Sequence, residues 1–123
     1  MVVGYSWIFD PVGIAARLTA RLPLATVVKS GIGGNKASDI LARFDADVGS
    51  QTPLDYVWIM VGTNDICQGV TPTEFSKNLF SIINKVQALG AIPFVFTPYT
   101  GCTDIPTRID ATRCYMAYVP YWQ

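Results

Sequence analysis

Apolar positions along this chain follow two alternating rhythms: short continuous runs, and longer stretches at helical spacing. Met1–Tyr5 is a short β-prone run that ends at Ser6 and reads as a buried strand. Asp10-Pro11 then has the form of a helix N-cap followed by proline at the first helical position. Ile14, Leu18 and Leu22 fall at helical spacing behind it, and Pro23 stops the helix. Leu24–Val28 reads as a second strand. After the glycine-rich stretch KSGIGGNKAS (29–38), Ala37, Ile40, Leu41 and Phe44 mark one face of an amphipathic helix.

Tyr56–Val61, YVWIMV, is continuously apolar, which predicts a central parallel strand buried on both faces. Thr71 and Glu74 have capping-box spacing with Pro72 at the first helical position. The helix they open turns Phe75, Leu79, Ile82, Ile83, Val86 and Leu89 inward, and Gly90 ends it. Ala91–Thr97 is a fourth strand, which Pro93 makes either late-starting or close to an edge. The order β-α-β-α-β-α-β predicts an α/β fold, a parallel sheet with helices on both faces. Residues 1–123 carry no internal repeat and no linker, so a single domain is expected. Residues 99–123 hold one modest helical stretch, Thr107–Tyr118, and an aromatic ending, and no element can be placed there with the same logic.

Composition narrows the function classes. A chain of 123 residues, 50% hydrophobic and 15% charged, is not disordered and is well buried or has partners. Nine basic and nine acidic residues cancel, so no overall field favours nucleic acid or an anionic membrane. No apolar run reaches the roughly 18 residues of a membrane span. A basic segment followed by a long apolar stretch is missing at the start, so no signal peptide is expected. Cys67, Cys102 and Cys114 have no CxxC spacing and no histidine beside them, which speaks against a zinc site. Separate thiols are the favoured reading over a Cys102–Cys114 bridge, and the compartment stays open.

In a parallel sheet the loops after the strands' carboxyl ends gather at one edge, where ligands bind. Three such segments stand out here: Ser6; Gly31, Gly33, Gly34 and Asn35; and Gly62-Thr63-Asn64-Asp65. Singly, each has an ordinary explanation as a turn, a cap or a glycine-dependent bend. Two phosphate-loop patterns fail outright. GxGxxG from Gly31 needs glycine where Lys36 stands, and a Walker loop ending in Lys36 needs glycine where Asn35 stands.

Taken together, the three segments resemble the motif blocks of the SGNH (GDSL-type) ester hydrolases, in the same order and at about the same distances. Gly4-Tyr5-Ser6 stands for the first block, Lys29–Lys36 for the second, and Gly62-Thr63-Asn64-Asp65, inside DYVWIMVGTNDI, is an intact third block. The resemblance covers roughly Val2 to Pro98. It implies a three-layer α/β/α sandwich of flavodoxin-like type, for which we expect four parallel strands in the order 2-1-3-4 and an incomplete C-terminal side. It implies Ser6 as nucleophile, with the Ser6 and Gly34 backbone N–H groups and the Asn64 side-chain amide as oxyanion donors. Gly31, Asn35, Gly62 and Asp65 support the loops, with Asp65 bracing its own. Neither a metal nor an organic cofactor is implied. The implied substrate is a small acyl ester, such as acetyl on carbohydrate.

This chain departs from the family pattern in three ways. Tyr5 replaces the first block's aspartate, Lys29 stands where asparagine is usual, and the closing Asp-x-x-His block is absent, since the chain contains no histidine. Serine is a poor nucleophile without a base. Lys29 or Lys36 in a serine–lysine pair, or Asp104 or Asp110 through water, are weak substitutes, because a solvated lysine stays protonated and an ionised aspartate is a poor base at neutral pH. Three accounts therefore stand side by side. The chain is part of a longer enzyme, or a partner chain or oligomer completes the site, or the domain is a non-catalytic binding module within a larger assembly. Tyr115, Tyr118, Tyr121 and Trp122 suit an interface, a sugar-stacking surface or a buried terminal segment equally.

Overall fold

A computed structural model describes residues 2–3 and 14–96, with side chains from residue 16 onward. Along the chain run β1 (Val2–Val3), α1 (Ile14–Arg21), α2 (Ala37–Asp47), a 3-10 turn (Gly49–Gln51), β2 (Tyr56–Met60), α3 (Thr63–Cys67), α4 (Pro72–Ala88) and β3 (Ile92–Phe96). The strands are parallel and lie in the order β1-β2-β3. Val3 pairs with Ile59, and β3 runs in step with β2 from Tyr56–Ile92 to Met60–Phe96. The α/β class with a parallel sheet is therefore the one the alternating pattern predicts.

The core forms where helix periodicity and strand alternation meet. Val57, Ile59 and Val61 follow from the strand's two-residue period and face Ala37, Ile40, Phe44 and Val48 of the α2 segment. Phe75, Leu79, Ile82, Ile83 and Val86 of α4 close the same cluster, each almost fully buried. Start signals set the helix limits. Thr71 Oγ1 accepts the Glu74 N–H at 3.2 Å with Pro72 behind it, and Asp39 accepts the Lys36 N–H at 2.8 Å at the start of α2. Gly90, at φ 77°, ends the α4 turn in the left-handed conformation that a helix C-terminus favours.

Two expectations are corrected among the described residues. Leu24–Val28 does not form a strand, so the sheet there has three strands rather than four in the order 2-1-3-4. Ala25 donates to the Leu22 carbonyl at 3.0 Å in the turn set by Pro23, and Leu24 is fully exposed. That turn consumes the front of the run, and only a one-residue bridge at Lys29 follows it. Nor is β2 buried on both faces: Val57 and Ile59 are buried, while Tyr56 is 50% exposed. Continuous apolarity conceals this difference, because α2 and α4 pack on only one side. The other side carries an aromatic ladder with Tyr56–Phe94, Trp58–Phe94 and Trp58–Phe96 ring centroids 5.7, 6.3 and 5.4 Å apart. Pro93 sits in β3, which pairs with β2 alone among the described residues, and because the neighbouring Ile92 N–H donates toward β2 to the Asp55 carbonyl, the nitrogen of Pro93 faces away from that ladder.

No helix among the described residues is long and apolar enough to cross a membrane. The predicted start of the first helix at Asp10-Pro11 and the whole of 99–123 lie outside the described residues.

Truncating the core at Phe44 tests this packing. Phe44→Ala should lower unfolding free energy by about 3–5 kcal/mol and Thr71→Ala by about 1 kcal/mol, both read by urea denaturation. A Phe44→Ala cost equal to that of the Thr71 cap would mean that the cluster is not packed as described.

Candidate active site

The second and third motif blocks meet at the carboxyl end of β2. Gly62 follows that strand with φ at 119°, a conformation open to glycine and strained for other residues, and it turns the chain directly into α3. Gly62-Thr63-Asn64-Asp65 is thus not a loop, as the sequence implied, but the start of a five-residue helix. The difference matters because α3 presents neighbouring side chains in different directions. Asn64 reaches across to the glycine-rich segment, and Asp65 turns into the protein.

Asp65 is 1% exposed and accepts the Ala37 N–H with both carboxylate oxygens, at 3.2 and 3.1 Å. Ala37 is the first residue of α2, so the carboxylate satisfies one of the orphan donors at that helix start. It also sits at the positive end of the helix dipole. Burial raises the Asp65 pKa, and the bonds from Ala37 and its own backbone, together with nearby Lys36, pull it part of the way back.

Asn64 Nδ2 donates to the Asn35 backbone carbonyl at 2.9 Å. One residue earlier, Gly34 stands exposed with φ at 85°, and a side chain there would meet open space but strained backbone. Gln68 Nε2 lies 3.5 Å from the Gly34 carbonyl. Asn64, Asn35 and Gly34 therefore converge at one place, with Gly62 and Asp65 behind them. Gly31 is half-buried at the other end of the same segment.

Ser6 lies outside the described residues. Asp104 and Asp110 also lie outside the described residues. Of the two lysines, Lys29 is exposed and Lys36 caps α2 through its backbone.

Two features escaped the sequence reading. Arg43 of α2 donates from Nε to Asn35 Oδ1 at 2.9 Å and from Nη1 to the Ser30 carbonyl at 2.8 Å, while pairing with Asp47. Only the four-residue spacing of Arg43 and Asp47 was visible beforehand, and that signals a surface ion pair. Cys67, the last residue of α3, is disulfide-bonded. This overturns the reading of three separate thiols, while Cys102 and Cys114 lie outside the described residues. No group of His, Cys, Asp or Glu able to hold a metal occurs among the described residues.

A parallel α/β domain with a glycine segment and an asparagine-bearing helix start joined at the strands' carboxyl edge belongs to the fold class of the SGNH hydrolases. The sequence profile of the GDSL-like lipase/acylhydrolase family matches residues 7–119, beginning one position past Ser6. The chain belongs to that family. It is 38% identical over 107 residues to an acetylxylan esterase of Geobacillus stearothermophilus, covering 79% of this chain and 48% of that protein. It is 35% identical over 85 residues to the uncharacterized lipoprotein YqeF of Bacillus subtilis (strain 168), covering 64% of this chain and 35% of that one. Among solved structures, one described as a G-D-S-L family lipolytic protein from Desulfitobacterium hafniense DCB-2 superposes with a TM-score of 0.75 at 27% identity, over 95% of this chain and 69% of its own. A catalytic mutant of the Geobacillus acetylxylan esterase Axe2 superposes with a TM-score of 0.70 at 27% identity, over 90% and 59%. The catalytic mutants of that esterase alter a serine, an aspartate and a histidine. This chain spans less than half the length of both curated relatives.

The Asp65 carboxyl gives a pH test. Its folded pKa lies above the ordinary 3.8, so in the window above that value the folded chain binds more protons than the unfolded one. Its contribution to stability is therefore complete below the unfolded pKa and is lost as pH rises through the folded one. The stability of the native chain relative to Asp65→Asn should accordingly fall as pH rises above 3.8, measured by urea denaturation at each pH. A rise over the same interval would mean that the Ala37 bond and Lys36 outweigh burial.

Proposed function

We propose that this chain carries the acyl-transfer half of an SGNH-type ester hydrolase, with Ser6 as its nucleophile. The observation that carries this reading is the Asn64 amide held against the Asn35 carbonyl, next to Gly34, at the carboxyl edge of β2. In the proposed reaction, Ser6 Oγ bonds to the ester carbonyl carbon and loses its proton to a base. The carbonyl oxygen becomes an oxyanion that receives hydrogen bonds from the Ser6 and Gly34 N–H groups and the second Asn64 N–H. Collapse breaks the ester C–O bond, the alcohol leaves with a proton, and water then releases the acid from acyl-Ser6. Fixed donors suit this chemistry because they already point at the charge that develops in the transition state.

The acetylxylan esterase relative supports a small acyl group, such as acetyl on a carbohydrate, as the substrate class. Its catalytic mutants include a histidine, and this chain contains none, which supports a reading in which a partner chain or sequence outside these residues supplies the base. The same lack of histidine favours a second reading, in which the domain binds without catalysis within a larger assembly.

A fluorophosphonate serine probe followed by intact-mass analysis tests the proposal. Labelling should occur in the chain extended by its downstream sequence or its partner, disappear in Ser6→Ala, and slow by about 10²–10³ in Asn64→Ala. An extended or partnered chain that still refuses the probe would leave only the binding module.

A further inference from the structure

Asn64 holds only one of its two amide N–H groups in a described bond, the one donated to the Asn35 carbonyl at 2.9 Å. The amide is planar, so fixing one N–H direction fixes the other about 120° away. The direction of the second N–H, the proposed oxyanion donor, is therefore set by where the Asn35 carbonyl sits. That carbonyl belongs to a glycine-bearing segment, and glycine backbones do not hold position by themselves.

We propose that Arg43 is the positioning residue of this site, fixing the Asn35 carbonyl and through it the aim of the Asn64 amide. This rests on reading Asn64 as an oxyanion donor. The guanidinium grips the segment at both ends. Nη1 takes the Ser30 carbonyl at 2.8 Å and Nε takes the Asn35 side-chain oxygen at 2.9 Å, bracketing Gly31, Gly33 and Gly34. Asp47, one helical turn further along α2, holds the guanidinium from behind. The fork is anchored on a helix whose Phe44 is 1% exposed in the core, so the segment is referenced to a rigid element. Arginine suits this task where lysine does not, because its donors have fixed relative directions and an ammonium is a single point.

The arrangement is not the one stability alone would select. Arg43 Nη2 is buried and lacks a hydrogen-bond partner among the described residues, a cost that an exposed ion pair on α2 would avoid. Lys85 with Asp45 is a solvent-facing pair, joining α4 to α2 at 2.8 Å with Asp45 exposed and Lys85 half-buried. It provides the control, since it ties down the same helix without touching the glycine segment.

The test reads the Asn64 side-chain amide by NMR in folded protein, its resonances assigned by their loss in Asn64→Ala. One Nδ2 proton should be protected from exchange relative to its geminal neighbour. Arg43→Lys should lower that protection roughly tenfold, the worth of one ordinary hydrogen bond, and Asn35→Ala should do the same by removing the Nε acceptor. Lys85→Met should leave it unchanged. Wild-type protection in a folded Arg43→Lys chain would overturn the proposal, as would an equal loss in Lys85→Met. Should Arg43→Lys fail to fold, Asn35→Ala, which leaves the Arg43–Asp47 pair intact, decides in its place. The readout needs no hydrolysis. A failure of Ser6 to react with the probe therefore counts against the hydrolase reading, while the role of Arg43 stands or falls on amide exchange alone.

Discussion

A buried carboxylate ties the site to the fold. Asp65 sits almost without solvent at the start of α2 and accepts the Ala37 N–H, joining the segment after β2 to the helix that follows the glycine-rich stretch. Burying a carboxylate is costly unless donors and positive potential surround it. The helix start supplies both, and α2 gains a partner for an otherwise orphaned N–H. The two motif blocks are therefore parts of one hydrogen-bonded unit, and their relative placement follows from that bond.

Around this joint the polar groups form a relay on the edge of an apolar core. Phe44 and Ile40 anchor α2 against Val57 and Ile59, and the helix carries Arg43 on its flank. Arg43 reaches Asn35, the Asn35 backbone receives Asn64, and Asn64 is carried on the short helix whose next residue is Asp65. The rigidity of the core thus reaches a glycine-rich stretch that has little of its own. The disulfide at Cys67 adds a covalent attachment at the far end of that helix. On the opposite face of the sheet, Ile92, Phe94 and Phe96 remain exposed beside Tyr56, so the described packing is one-sided.

Where local signals agreed with one another, the fold was legible. The periodicity of Ala37, Ile40 and Phe44 and the Thr71–Glu74 cap with Pro72 marked α2 and α4, because helix faces and caps depend on residues within a few positions. Gly62-Thr63-Asn64-Asp65 was recognisable as a site block, although its helical geometry was not, since four residues do not distinguish a turn from a first helical turn. Leu24–Val28 misled because apolar, β-branched residues are necessary for a buried strand and not sufficient for one. Tyr56 and Trp58 misled for a related reason: an unbroken apolar run cannot say which face a helix will cover. Arg43 was invisible as a site residue, since its partners Asn35 and Ser30 lie eight and thirteen positions away.

The amino-acid sequence by itself determined the alternation of helix and strand, the α/β class, and the residues that form the blocks. These follow from periodicity, capping and glycine placement, all of which act over short stretches of chain. Tertiary structure alone decided that one face of β2 is covered, that Asp65 caps α2, and that Arg43 holds the segment opposite Asn64. Those outcomes depend on which distant groups burial brings together, and a desolvated charge or amide selects its partner by proximity in space.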